Sequence, residues 1–145
     1  MQERWISRSE AETIEIGKAI AAKLPENAVV YLSGDLGAGK TTLVRASVTE
    51  LGADPLEVAS PSFALVHEYL IAGRSPILHI DGYRLSDNRR EWMEIGIDDL
   101  LLGPGLKFIE WPKRHFDELG GAHAEIEIRV EPDESRTIVM TFQPS

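Results

Sequence analysis

A glycine-rich segment constrains this 145-residue chain more than any other feature. Gly34 to Thr41 reads G-D-L-G-A-G-K-T and fits the pattern G-x-x-x-x-G-K-[ST]. The β-branched run from Ala28 to Leu32 before it predicts a buried strand. Lys40 to Leu51 after it predicts a helix that is closed by Gly52. A strand, a tight turn and a helix N-terminus in this order favour binding of an anionic phosphate chain to backbone N–H groups.

The residue types in this loop suit phosphates that are bound together with magnesium. Side chains would obstruct a close approach of the backbone amides, and Gly37 and Gly39 carry none. Lys40 can reach the β- and γ-phosphates, and the hydroxyl of Thr41 can bind Mg²⁺. A chain of this length matches the pattern by chance roughly once in a few hundred sequences. We therefore predict a phosphate-binding loop rather than an inert glycine turn.

Two acidic residues follow short apolar runs that read as strands. Asp81 ends the run 77–80, and Glu110 ends the run from Leu106 to Ile109. A phosphate-loop site needs a carboxylate that helps to hold Mg²⁺ or orients the attacking water. The C-terminal ends of parallel strands meet at the edge of the sheet where such a loop lies. Lys40, Asp81 and Glu110 are therefore the candidate catalytic residues, and the sequence does not choose between the two acids as the closer metal ligand.

Composition and charge narrow the possible partners. The chain has 24 acidic and 15 basic residues, a formal net charge of −9. Such a field repels phosphate backbones, so we expect any link to nucleic acid to pass through a protein partner. The absence of cysteine excludes disulfides, thiolate metal sites and a cysteine nucleophile. No apolar run is long enough to cross a bilayer, and the first residues lack the features of a secretory signal, so we expect a cytoplasmic protein.

The remaining patterns predict one α/β domain over residues 1–145. We expect a P-loop NTPase-like three-layer fold, in which a mixed sheet has a parallel core and a C-terminal antiparallel hairpin. His79 alternates with the apolar Ile80, which favours a packed histidine over a metal ligand. The other predicted elements are a helix after the capping box Ser9–Glu12, a hairpin of 63–71 and 77–80, helices 88–95 and 98–102, and a hairpin of 125–130 and 137–142.

The order of several motifs resembles the TsaE (YjeE) family, bacterial ATPases that are required to make threonylcarbamoyladenosine in tRNA. The resemblance runs in order from about Ser9 to Pro112 and is far more specific than a phosphate loop alone. The segments that carry it are Gly34–Leu43, Ser60–Tyr69, His79–Leu85, Glu94–Gly96 and Ile109–Pro112.

The resemblance implies a role for each matched position. Mg²⁺ would be held by Thr41 and Glu110, with Asp81 in or next to its coordination shell, and Trp111 would flank the site. The family usually has a bulky apolar residue where Gly82 lies, so we expect a looser segment after Asp81 in this chain. The positions implied to contact ATP are Thr13, Gly37, Ala38, Gly39, Lys40, Thr41 and Thr42.

The resemblance also implies a switch segment and protein partners. Ser60, Pro61 and Ser62 would form a loop near the γ-phosphate, whereas the residues alone favour an ordinary turn before a strand. Family members work with the proteins TsaD and TsaB as what looks like an ATP-driven switch. The transfer of the threonylcarbamoyl group belongs to TsaD. Contact with tRNA would be indirect, through these partners, and no membrane is involved.

Three other functions stay open at this point. A small-molecule kinase usually covers the phosphates with an arginine-rich lid, for which the chain has no long enough segment. A nucleotide-gated binding module would bind ATP and a partner without useful hydrolysis. A GTPase is disfavoured because no N-K-x-D or T-K-x-D guanine-reading motif occurs.

Overall fold

The computed structural model describes residues 1–35, 37–54, 58–59, 66–83 and 89–143. Within these residues, eight strands form one sheet, and five helices accompany it. The strands are β1 Gln2–Ser7, β2 Val29–Ser33, β3 Val58–Ala59, β4 Val66–Tyr69, β5 Ile77–Asp81, β6 Lys107–Glu110, β7 Ala124–Val130 and β8 Arg136–Phe142. The helices are α1 Glu10–Ala21, α2 Lys40–Glu50, α3 Arg89–Ile95, α4 Ile97–Leu102 and α5 Arg114–Glu118.

The sheet is mixed, with parallel pairing at its centre. Its strand order is β1-β8-β7-β2-β6-β5-β4-β3. The neighbours β7 and β2, β2 and β6, and β6 and β5 run parallel, whereas the outer pairs run antiparallel. The predicted parallel core and C-terminal hairpin are therefore confirmed. The hairpin continues the sheet directly, because β7 pairs with β2.

Both faces of the sheet are covered, as alternate residues of β2 show. Val30 and Leu32 are fully buried in a cluster that includes residues of α1 and α2. Tyr31, between them, belongs to a second cluster that includes Trp92 of α3 and Phe116 of α5. Since successive side chains of a strand point to opposite faces, the sheet lies between two helical layers. This arrangement confirms the predicted three-layer α/β fold.

The capping-box sequence starts α1 as predicted, with one difference in its hydrogen bonds. The hydroxyl of Ser9 accepts a hydrogen bond from the backbone N–H of Glu12 at 3.1 Å. The carboxylate of Glu12 accepts from the N–H of Arg8 at 2.9 Å rather than from that of Ser9. The first turn of α1 is thereby fixed at the end of β1, next to the glycine-rich loop.

Most predicted elements are present, with ends that differ by one or two residues. The predictions for residues 63–65 and 88 lie outside the described residues. Three elements were not predicted: β1 at one sheet edge, the two-residue β3 at the other, and the short helix α5. The structure contains, in its described parts, no helix that is long and apolar enough to span a membrane.

Candidate functional site

The glycine-rich loop joins the end of β2 to the start of α2, as the sequence predicts. Gly37 and Gly39 have φ angles of 82° and 106°, which side-chain-bearing residues rarely adopt. The first helical hydrogen bond of α2 runs from the N–H of Leu43 to the carbonyl of Gly39 at 3.0 Å. The N–H groups of the first turn before Leu43 therefore have no partner within the helix, as an anion site requires.

Lys40 is buried at the start of α2, with only 5% of its surface exposed. Its ammonium donates a hydrogen bond to the carbonyl of Gly34 at 2.7 Å and lies 3.6 Å from Oε1 of Glu110. It also lies 4.4 Å from the centre of the Trp111 ring. The carbonyl, the carboxylate and the aromatic face each stabilise the positive charge of the ammonium inside the loop.

The two predicted acids end neighbouring strands. Asp81 and Glu110 are directly paired in the parallel register of β5 and β6. Gly82 continues this contact, since its N–H donates to the carbonyl of Glu110 at 2.7 Å. A Cβ atom at Gly82 would lie only 2.0 Å from the carbonyl oxygen of Trp111. Gly82 itself is buried and is hydrogen-bonded to the end of β6. Residues 84–88 lie outside the described residues, so the looser segment expected after Asp81 stays a prediction.

The carboxylate of Glu110 is engaged on both of its oxygens. Nε2 of His79 lies 2.6 Å from Oε2, and the ammonium of Lys40 lies on the side of Oε1. Burial by itself would raise the pKa of Glu110. The hydrogen bond from His79, with the electrostatic attraction of His79 and Lys40, outweighs burial and holds the pKa below its usual value. Glu110 is thus ionised at neutral pH, as a metal ligand or water-orienting group must be.

The oxygen donors near the loop are of a type that can hold magnesium. No cluster of three or more His, Cys, Asp or Glu side chains arranged to hold a metal occurs among the described residues. Mg²⁺ is usually bound by one or two carboxylates, a hydroxyl, water and the oxygens of the bound phosphates. Thr41 in the first turn of α2 and the paired acids Asp81 and Glu110 provide oxygen ligands of this kind.

A cavity of about 300 Å³ lies against the loop. Thr13 lines it, and its hydroxyl lies 2.7 Å from that of the buried Ser7. Since the hydroxyl of Ser7 already donates to the carbonyl of Ser9, Thr13 donates to Ser7 and keeps its lone pairs as acceptors. The lining residues are Ser7, Arg8, Ser9, Glu10, Thr13, Gly37, Ala38, Gly39, Thr42, Glu134 and Arg136.

The C-terminal hairpin contributes to this cavity, which the sequence did not predict. Nε of Arg136 donates a hydrogen bond to the carbonyl of Ala38 in the loop at 3.1 Å. Its Nη1 donates to the carbonyl of Glu134, which has a φ of 70° in the hairpin turn. A lone arginine at the start of an alternating strand gives no recognisable motif. The one available indication is its position as the first residue of β8, directly after the hairpin turn.

The structure brings the predicted residues into two groups. The first group lies at the ends of β5 and β6 and consists of Lys40, Asp81, Glu110 and Trp111. Trp111 is 38% exposed and has a φ of 53°, and its ring centre lies 5.5 Å from that of Tyr83. The second group lines the cavity beside the loop: Thr13, Gly37, Ala38, Gly39 and Thr42. The proposed switch residues Ser60, Pro61 and Ser62 lie outside the described residues.

The family model for the threonylcarbamoyl adenosine biosynthesis protein TsaE matches residues 7–138. The match includes the loop, both acids and most of the C-terminal hairpin. The chain belongs to the TsaE family. Its part in the biosynthesis of threonylcarbamoyladenosine in tRNA follows from that membership.

Individual members of the family are similar over nearly the whole chain. The TsaE protein of Treponema pallidum is 36% identical, and the match covers 94% of this chain and 98% of that protein. The TsaE protein of Bacillus subtilis is 34% identical, with 97% and 85% covered. The crystal structure of Bacillus subtilis YdiB superposes with a TM-score of 0.71 at 29% identity, and covers 98% of this chain and 86% of that chain. The superposition therefore extends over the C-terminal hairpin.

Proposed function

We propose that this chain is a Mg²⁺-dependent ATPase that acts with TsaB and TsaD in the threonylcarbamoyladenosine modification of tRNA. In this proposal it is an ATP-driven switch and not the transferase itself. The observation that carries the ATPase part is the approach of Lys40, on the phosphate loop, to within 3.6 Å of Glu110, at the end of a parallel strand. Lysine and carboxylate are the two groups that phosphoryl transfer requires beside the bound metal.

Each group would act on a different part of the reaction. Lys40 and the loop amides would stabilise the negative charge that develops on the transferring phosphoryl group. Asp81 or Glu110 would orient the attacking water in line with the leaving oxygen. Thr41, with Glu110, would hold Mg²⁺, which when bound neutralises charge on the β- and γ-phosphate oxygens. Thr13, which lines the cavity beside the loop, would hold the nucleoside part.

Lys40 would exchange partners when the nucleotide binds. In the structure its ammonium is held by the carbonyl of Gly34 and by Glu110. Phosphate oxygens carry more charge than a carbonyl, so they would draw the ammonium away from Gly34 and Glu110 and towards the bound phosphates. Glu110 would then be available to the cation through the oxygen that faces Lys40. This exchange couples nucleotide binding to the metal site.

The role with partners rests on the family and on the charge of the chain. A net charge of −9 disfavours direct binding of tRNA, because the long-range field repels its phosphates. Protein partners that themselves hold the tRNA remove this difficulty. We therefore assign the tRNA contact and the transfer step to the partners, and the nucleotide-dependent step to this chain.

The test is phosphate release from ATP in the presence of Mg²⁺, for the chain alone and with TsaB and TsaD added. We expect slow release alone and clear stimulation by the pair. In Lys40→Ala both rates should fall to background, since the phosphoryl charge loses its main counter-ion. Full hydrolysis by Lys40→Ala would refute the assignment of the site.

Two further measurements separate the alternatives. A nucleotide-gated module would bind ATP and the partners, yet Glu110→Ala would still support the modification in cells. For an ATPase switch, Glu110→Ala should lose both hydrolysis and modification. Competition between ATP and GTP for the site decides which base is preferred. Transfer of phosphate to an added acceptor, in place of its release to water, would indicate a kinase.

A further inference from the structure

His79 lies one strand away from Glu110, on the same side of the site. It precedes Asp81 by two residues in β5, so both side chains are on one face of the strand. In the register of β5 and β6, His79 is paired with Phe108, and Asp81 with Glu110. The imidazole therefore reaches diagonally along the sheet to the carboxylate at the next strand end.

The contacts of His79 are those of a group that is held in one orientation. Its side chain is buried, with 8% of the residue exposed. On the other side, His67 of β4 is its direct cross-strand partner, and the two ring centres are 6.3 Å apart. A buried ring between two strands has few alternative rotamers, so its Nε2–H is a fixed donor.

The two oxygens of Glu110 are held unequally. The separation of 2.6 Å between Nε2 of His79 and Oε2 is that of a short, strong hydrogen bond. The separation of 3.6 Å between Nζ of Lys40 and Oε1 is an ion-pair distance, longer than the 2.7 Å hydrogen bond that the same ammonium donates to the carbonyl of Gly34. Rotation of the carboxylate would break the short bond first. Oε1 is thus the oxygen that can change its partner while Glu110 stays in place.

We propose that His79 is a positioning residue that holds Glu110 by Oε2 and so reserves Oε1 for the divalent cation. This inference rests on the proposed function, since it assigns a role within that metal site. It predicts that Glu110 binds the cation through one oxygen only. Hydrogen bonds to a ligating carboxylate typically change metal affinity ten- to a hundredfold when they are lost.

Two amide substitutions test the role, because they differ in reach and not in polarity. The side-chain nitrogen of glutamine lies as many bonds from Cβ as Nε2 of histidine, whereas that of asparagine lies one bond nearer. His79→Gln can therefore donate to Oε2, and His79→Asn cannot. His123→Asn serves as the matched control. That histidine accepts a hydrogen bond from the N–H of Val29 at the other end of β2, away from the loop.

The measured quantity is the affinity of the ADP-bound protein for Mn²⁺, obtained from the free-Mn²⁺ signal in electron paramagnetic resonance. ADP affinity in EDTA and the melting temperature are recorded for every variant. We expect Mn²⁺ affinity to fall about ten- to a hundredfold in His79→Asn. It should stay within about threefold of the wild type in His79→Gln and in the control. ADP affinity without metal should be unchanged in all three.

Several results would overturn the inference. Equal Mn²⁺ affinity in His79→Asn and the wild type would show that the histidine does not act on the metal site. Equal losses in the asparagine and glutamine variants, a loss of metal-free ADP binding, or failure of His79→Gln to fold would show that the imidazole acts only in packing. If the wild type itself binds no Mn²⁺ with ADP, the proposed function fails together with the inference. The Mn²⁺ titration of the wild type therefore tests the proposed function, and the variants test the role of His79 only when the wild type binds Mn²⁺.

Discussion

Replacing Gly17 by Ala should destabilise the protein, although alanine is the better helix former. Gly17 lies where α1 packs against α2, and a Cβ atom there would lie 2.7 Å from Cβ of Ala46 and 2.9 Å from the carbonyl oxygen of Leu43. Carbon atoms in contact prefer about 3.5–4.0 Å, so the helices must separate by roughly 1 Å. The separation also stretches the buried hydrogen bond of 2.7 Å from the hydroxyl of Ser47 to the carbonyl of Gly17.

The expected size follows from these contacts. Overpacking typically costs about 1–3 kcal/mol, and a weakened hydrogen bond adds roughly 0.5–1.5 kcal/mol. The helix propensity of alanine offsets about 1 kcal/mol. The free energy of unfolding should therefore fall by roughly 0.5–3.5 kcal/mol, a decrease in melting temperature of several degrees for a chain of this length.

Urea unfolding followed by circular dichroism measures this change in Gly17→Ala. Ala46→Gly removes the side chain that the new methyl group would meet most closely. The variant that carries both substitutions should therefore be more stable than the sum of the two single effects predicts. Lys18→Ala, at the exposed neighbouring position, is the control. A Gly17→Ala protein that is as stable as the wild type, or more stable, would refute the reasoning, because helix propensity alone would then decide the result.

Two further substitutions test other parts of the structure. Arg136→Ala should weaken ADP binding by roughly two- to tenfold in calorimetry, because the hydrogen bond to Ala38 that fixes the loop is lost. Arg129→Ala, on the same hairpin, is the control and should leave ADP affinity unchanged. Equal ADP affinities of Arg136→Ala and the wild type would contradict this role. Burial lowers the pKa of Lys107, whose ammonium bonds to the carbonyl of Gly103. Just below the ordinary pKa of 10.5 the unfolded chain therefore binds more protons at this residue than the folded chain, and Lys107 should contribute a rise in the free energy of unfolding as the pH increases towards that value. In Lys107→Met this contribution should be absent. Urea unfolding at several pH values measures it, and an identical pH dependence of the free energy of unfolding in the two proteins would contradict the prediction.

The sequence predicted the parts of the fold whose patterns are local. The alternation in β7 and β8, the apolar run of β2 and the loop before α2 each determine their own element. The edge strand β1 was not predicted, because its exposed and half-exposed residues bury only Ser7 and resemble a loop. Its strand conformation depends on pairing with β8, which is distant in the sequence.

The same distinction holds in the candidate site. Asp81 and Glu110 could be placed together because both end strands, and parallel strands bring their ends to one edge. His79 was predicted to be packed, and it is buried, but its bond to Glu110 depends on a diagonal contact between strands. Arg136 lies almost a hundred residues beyond the loop it contacts, and no local pattern records that distance.

The pairing of the first strand with the last has a consequence during synthesis. Gln2 is opposite Thr141, and Ser7 opposite Arg136, so the sheet edge that carries β1 cannot form until β8 has left the ribosome. Ser7 and Arg136 both line the cavity beside the loop. A nascent chain that has emerged only as far as Glu110 therefore carries the loop and the acids without the completed cavity. Nucleotide binding of full strength should begin only after β8 has emerged and paired with β1, and contacts of such long range also predict slow folding.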